Sequence, residues 1–200
     1  MANGTQPPRQ RGKGLLREYI EAILVALIAA LLIRTFVAQA FRIPSGSMIP
    51  TLLVGDQLLV DKVAYRFRPP ARGDIVVFKY PGDESRDFIK RVIGLPGDIV
   101  EVRAKAVYIN GAPLNERYAF HDAFDHMRII PRDDFGPVTV PPDKYFVMGD
   151  NRENSQDSRF WGFLERDKII GRAFILYWSR DVDPIFPLGI RWGRFGLLIE

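Results

Sequence analysis

"DFIKRVIGL", residues 87–95, decides how this chain is read. It is short, rich in Phe, Ile and Val, and closed by Gly94 and Pro96, which marks it as a β-strand. Side chains alternate along a strand, so Phe88, Lys90 and Val92 share one face while Ile89, Arg91 and Ile93 share the other. Lys90 is thereby placed between apolar neighbours on its own face. A lysine so placed is either an edge-strand gatekeeper against aggregation or an amine kept out of water for a purpose.

Strand-like segments continue on both sides. Residues 57–65, 74–80, 98–111, 144–150 and 168–178 are Val/Ile/Phe-rich and separated by Gly, Pro and Asp turns. Asn110-Gly111 is a hairpin turn signal. Residues 113–135 are mixed and charged and read as an excursion from the sheet. No long helix is expected after residue 41. The expected fold is mainly β, with antiparallel sheets forming a barrel-like domain over 41–200.

The N-terminal part differs. Residues 1–17 hold Arg9, Arg11, Lys13 and Arg17 and no acid, whereas the rest of the chain balances 24 basic against 24 acidic residues. A body without net charge argues against nucleic-acid binding, and the basic stretch reads as a topological signal. Ala22 to Ile33 is an unbroken apolar run, too short alone for the roughly 20 residues a bilayer requires. Extending the stretch from Ile20 to Phe41 gives enough length and takes in Glu21, Arg34, Thr35 and Gln39, with Glu21 and Arg34 near the ends, where long side chains reach the interface. Two readings fit: a retained membrane anchor, or a cleavable signal segment ending in the "AQA" of Ala38 to Ala40. Both put residue 41 onward outside the cytoplasm, with the basic tail inside.

Composition narrows the chemistry. The absence of cysteine excludes disulfides and thiolate catalysis. The two histidines, His121 and His126, lie in the charged "HDAFDH" and read as solvated rather than as metal ligands. The acidic loop "DNRENSQDSRFW" (150–161) fails the EF-hand template, with Arg152 at the third position, Ser155 at the sixth and Trp161 at the last. A serine nucleophile served by lysine remains. Such a lysine must titrate roughly two units below its usual value, at a cost on the order of 3 kcal/mol, which burial among apolar groups supplies. The serines on offer include Ser45 and Ser47 of "IPSGSMIPTL" (43–52) and Ser155, each of which alone is ordinary turn material.

Four stretches in order, "IPSGSMIPTLLVGDQLLVDK", "RGDIVVFKYPGD", "DFIKRVIGLPGD" and "MGDNRENSQDSRFWGFL", closely resemble bacterial type I signal peptidase (leader peptidase), a Ser/Lys-dyad serine peptidase family. They cover much of residues 41–164; the resemblance weakens over 112–135 and stops before the C-terminus. By motif position it implies Ser47 as nucleophile, Lys90 as general base and Ser155 as a hydrogen-bond partner orienting the Lys90 amine. Ser45 is implied to donate to the oxyanion beside the Ser47 N–H. Asp150, Asp157 and Arg159 are implied to form a supporting charge network, with Asp157–Arg159 its central pair. Shallow pockets for small side chains are expected among Phe41, Ile43, Pro44, Met48, Leu52, Leu58, Val77, Phe88 and Ile89, with some of these plain core residues.

The resemblance implies a retained anchor over residues 18–40 in the bacterial plasma membrane, a periplasmic or extracytoplasmic catalytic domain, and signal peptides of exported preproteins as substrates, cut after A-x-A. It implies no cofactor, metal or nucleic acid. "AQA" beside Phe41 implies slow self-cleavage after Ala40. Many members of the family have two anchors and a disulfide; this chain has one candidate anchor and no cysteine. The C-terminal Phe186, Leu188, Trp192 and Phe195 are expected either on the membrane surface or packed on the sheet. Rival readings are another Ser/Lys peptidase, a self-cleaving repressor, and a tethered, non-catalytic β domain that binds exported chains.

Overall fold

A computed structural model describes residues 13–182 and 189–199, and the chain divides into two units, residues 1–37 and 38–200. In the first, an α-helix, α1 (Lys13–Leu32), runs into a π-helical turn at Ile33–Val37. Its Ala, Leu and Ile run favours a helix and contains no Pro or interior Gly. Gly14–Val37 has a mean hydropathy of 2.4 and is long and apolar enough to cross a membrane. Every residue of that stretch is exposed, so the apolar surface is not buried within the protein. Arg17 meets Glu21 one helical turn later at 2.7 Å, which neutralises the acid next to the apolar run. The helix begins at Lys13, inside the stretch read as tail, and Ala38 to Ala40, read as the end of the anchor, already belong to the first strand. Arg9, Arg11, Phe186 and Leu188 lie outside the described residues.

The second unit is built from antiparallel sheets. Its larger sheet contains β1 (Ala38–Arg42), β2 (Asp56–Asp61), β3 (Ile75–Tyr80) and β4 (Asp83–Gly94). The smaller contains β5 (Ile99–Arg103), β6 (Ala106–Ile109), β7 (Ala112–Pro113) and β8 (Phe135–Thr139). The chain then returns to the larger sheet with β9 (Lys144–Met148), β10 (Leu164–Glu165) and β11 (Ile169–Ser179). The strand orders are β1-β2-β11-β3-β4-β9-β10 and β7-β6-β5-β8, and the described pairs of the larger sheet run from β1 to β10. Two one-turn helices, α2 (Ala64–Phe67) and α3 (Ser158–Trp161), are the only α-helices after β1 among the described residues.

The expected turn at Asn110-Gly111 joins β6 to β7, with both residues at positive φ (53° and 81°). β3 is buried on consecutive residues because both of its faces are covered. Ile75 and Val77 enter one cluster with Leu58, Val60 and Leu176, while Val76 and Phe78 enter another with Val92 and Val147. β4, the neighbour of β3, is exposed at its start and buried from Lys90 to Gly94. That transition carries a charged side chain from the rim of the sheet into its interior.

Candidate active site

Ser47 lies in the turn between β1 and β2. Met48 and Leu52, both with no exposed surface, fix this turn in the core, and Leu52 N–H donates to the Met48 carbonyl at 2.9 Å. The serine, only 8% exposed, is thus carried on a turn anchored in the core. On β4, Lys90 is 4% exposed and its Nζ lies 2.7 Å from Ser47 Oγ. Its Nζ also sits 5.5 Å from the centre of the Phe88 ring, on the face that strand alternation assigns to both.

Burial pushes the Lys90 amine down to about 8 from an ordinary 10.5; Asp157 and then Asp150 draw it partly back up, and Arg159 lowers it. At neutral pH roughly a tenth of the molecules therefore hold a neutral amine, a far larger fraction than for an exposed lysine.

A third segment, residues 149–159, braces the pair from below. Asn151 N–H donates to the Ser47 carbonyl, and Asn151 Nδ2 donates to the Gly46 carbonyl, each at 3.1 Å. Gly149 passes so close that a Cβ there would stand 2.3 Å from Ser155 Oγ and 2.4 Å from the Ser47 carbonyl oxygen, so no other residue fits without a shift. Its N–H donates to Asp157 at 3.1 Å.

The expected site residues fall into distinct groups. Ser45, Ser47, Lys90 and Ser155 line one cleft of about 490 Å³. Ser45 is exposed at its wall, and none of the described backbone bonds uses the Ser47 N–H. Ser155 departs from expectation: its Oγ is buried with no hydrogen-bond partner among the described residues, Lys90 included. It stands over Gly149, whose missing side chain leaves the space, while the described contact of the Lys90 amine is to Ser47.

The charge network also differs, because it consists of two buried pairs on separate arginines. Asp157 is bound bidentately by Arg159 (2.8 Å for each contact) and caps α3. Asp150, fully buried, is bound by Arg91 at 2.9 and 2.8 Å and accepts from Thr51 Oγ1 at 2.6 Å. Both carboxylates are spent on arginines, which leaves the 150–161 loop poor in free acidic ligands. Arg91, Thr51, Gly149 and Asn151 were missed in the sequence. A cue for Arg91 was present: an arginine next to Lys90 on a strand buried on both faces requires a buried carboxylate.

The expected pocket residues divide as well. Pro44, Phe88 and Ile89 line the cleft. Ile43, Met48, Leu52, Leu58 and Val77 are core residues, 0–2% exposed, and Phe41 packs against them. Alternation on β2 and β3 turns Leu58 and Val77 onto the core face of the sheet, and Ile43, Met48 and Leu52 enter the same core from the turn between β1 and β2. The rest of the cleft wall comprises Gly46, Arg86, Asp87, Glu153, Asn154, Gln156 and Phe160, none of them expected.

The cleft follows an unpaired strand edge. β3 pairs with β4 from Asp83 to Arg91, but on the other side β9 meets β4 only at Arg91, Val92 and Gly94. Among the described pairings, Asp83 to Lys90 therefore present one open edge, which ends at the lysine.

A serine and a lysine of lowered pKa thus meet at the end of an open strand edge. Residues 16–178 match the family described as signal peptidase, peptidase S26. The chain is 48% identical to a signal peptidase I of Leptolyngbya laminosa over 87% of this chain and 83% of that one. It is also 48% identical to a probable signal peptidase I-2 of Synechocystis, covering 79% of this chain and 71% of the relative. Identity to a signal peptidase I of Aquifex aeolicus is 36%, over 86% and 88% of the two chains. The chain belongs to the S26 signal peptidase family. It is an enzyme, a serine endopeptidase and hydrolase of the signal peptidase I type.

Proposed function

We propose that this enzyme is anchored in the bacterial plasma membrane by its N-terminal helix and removes signal peptides from exported preproteins, cutting after A-x-A with Ser47 and Lys90. The observation that carries the reading is the 2.7 Å contact between Lys90 Nζ and Ser47 Oγ, made by a lysine that is 4% exposed.

Neutral Lys90 takes the Ser47 hydroxyl proton as Oγ attacks the scissile carbonyl. The negative charge that develops on that oxygen is met by the Ser47 N–H and the Ser45 hydroxyl. Protonated Lys90 returns its proton to the departing amine, and the mature protein leaves while the signal peptide remains as an ester on Ser47. Lys90 then deprotonates a water, which attacks the ester and frees the signal peptide carboxylate. Asp157 and Asp150, held by their arginines, keep the amine from being pushed further down by burial. Ser155, which lines the same cleft and packs against Gly149 beneath the Ser47 turn, is assigned the orienting of Lys90 by its motif position.

The open β4 edge suits a substrate bound as an added strand, with backbone hydrogen bonds supplying affinity and alternate side chains supplying selectivity. The preference for small side chains comes from the family resemblance, and Pro44, Phe88 and Ile89 are among the apolar side chains of the cleft wall available to meet them. The basic residues ahead of the apolar helix favour a cytoplasmic N-terminus and an extracytoplasmic catalytic unit.

The test is cleavage of a preprotein whose signal ends in A-x-A by the full chain in detergent, beside Ser47→Ala and Lys90→Ala. Cutting after the second alanine by the unmodified enzyme alone supports the dyad. Cutting that survives both substitutions refutes it.

A further inference from the structure

Among the charged residues that line the cleft, most are already engaged. Asp87 is bound by Lys79 at 2.7 Å, and Glu153 by Lys105 at 3.2 Å and His121 at 3.0 Å. Arg86 differs: it is exposed, and among the described residues no carboxylate stands in ion-pair range of it. Asp83, the acid whose titration it influences, is turned to the Ser85 N–H and hydroxyl.

Arg86 is nevertheless held in place. Tyr80 and Phe88 stack across the β3–β4 hairpin at 4.4 Å between ring centres, and the Arg86 guanidinium lies 5.9 and 5.3 Å from those two rings. The aromatic pair holds one side of a planar cation and leaves its N–H edges free to donate. Phe88 therefore has Arg86 at one end and Lys90 at the other, on the face that alternation gives all three residues. Four residues along a strand span ~13 Å, so an extended peptide on this edge presents to Arg86 a side chain about four residues from its scissile bond.

We infer that Arg86 is a specificity-determining residue of the cleft, which selects substrates carrying an acidic side chain about four residues from the cut and disfavours a basic one there. Guanidinium and carboxylate match as a bidentate pair, and the aromatic platform sets the orientation in advance. The inference rests on the reading above, in which Ser47 and Lys90 cut a peptide extended along the β4 edge.

The experiment measures kcat/KM at low ionic strength for the full chain in detergent on A-x-A peptides. These carry Asp, Asn or Lys at the fourth residue before the cut or, in a second set, the fourth after it. In one set, Asp should exceed Asn by about threefold and Lys should fall below Asn, as for an exposed ion pair. Added salt should shrink the ratio. Arg86→Gln should bring the three peptides together, and Arg86→Glu should reverse their order. The set that responds tells whether the acid sits on the signal or the mature side. Equal rates in both sets overturn the inference, as does a preference that persists in Arg86→Gln or a uniform loss on every peptide. Cutting that persists in Ser47→Ala overturns instead the reading beneath it, and the inference with it.

Discussion

Lys90 and Arg91 are consecutive on β4 and face opposite ways: the lysine reaches Ser47 Oγ at 2.7 Å, while the arginine grips Asp150 at 2.8 Å. Strand geometry alone separates a lysine whose amine burial pushes down from an arginine that keeps its proton. The arginine fixes Asp150 and, through the adjoining Gly149 and Asn151, the floor beneath Ser47.

Activity should rise with pH through about 8, as Lys90 loses its proton. The limb belongs to Lys90 because burial lowers its amine into that range. A pH profile of kcat/KM checks this, and a flat profile between pH 7 and 9 counts against it. Lys90→Arg should be inactive across the range, since a guanidinium stays protonated.

The same amine costs stability. Its folded value of about 8 lies below its ordinary 10.5, so the unfolded chain binds more protons between those limits and stability increases as pH rises through them. Lys90→Met should therefore stabilise the inactive protein at neutral pH, by on the order of 3 kcal/mol, with the advantage shrinking toward pH 10. Thermal unfolding of both forms at pH 7 and pH 10 measures it.

Ser45→Ala should lower kcat about 10²- to 10³-fold with little change in KM, the signature of a donor needed only by the developing oxyanion. Steady-state kinetics on one A-x-A substrate decide the point. A change confined to KM would assign Ser45 to ground-state binding.

Asp150→Ala should destabilise the catalytic unit by about 3–5 kcal/mol, because it strands the buried Arg91. Arg91→Met with Asp150→Leu should recover much of that loss in a denaturant titration, while activity stays low because the support under Ser47 has changed.

Self-cleavage after Ala40 should be slow. Ala38, Gln39 and Ala40 pair with Asp61, Val60 and Leu59 of β2, so the "AQA" must leave the sheet before any active site can take it as substrate. Mass spectrometry of stored enzyme against its Ser47→Ala form tests this, and an N-terminus intact after weeks would argue against it.

Local pattern carried much of this architecture. β2, β3, β4, β9 and β11 coincide with short Val/Ile/Phe-rich runs between turn residues, the run expected over 98–111 folds back at Ala104 and Lys105 into the paired β5 and β6, and Asn110-Gly111 makes the turn its residue types require. β1, β7, β8 and β10 escaped notice for physical reasons, β7 and β10 because two residues carry no periodicity. β1 follows directly on an apolar helix, so its "AQAFR" reads as the end of that helix, and β8 contains Gly136 and Pro137, which ordinarily break strands.

The sequence by itself determined the strand content, the apolar N-terminal segment, the lack of thiol chemistry and the residue types able to react, because each follows from periodicity and side-chain chemistry over a few neighbours. Tertiary structure alone decided that Lys90 meets Ser47 across 43 residues of chain, that Asp150 belongs to Arg91 rather than to Arg159, and that most of the expected pocket residues fill the core. It also decided that Ser155 Oγ lies buried in the cleft of Ser47 and Lys90 without a partner among the described residues. These are facts of strand register and burial between distant segments: a shift of one residue in pairing would turn Lys90 away from the cleft and bring Arg91 into it.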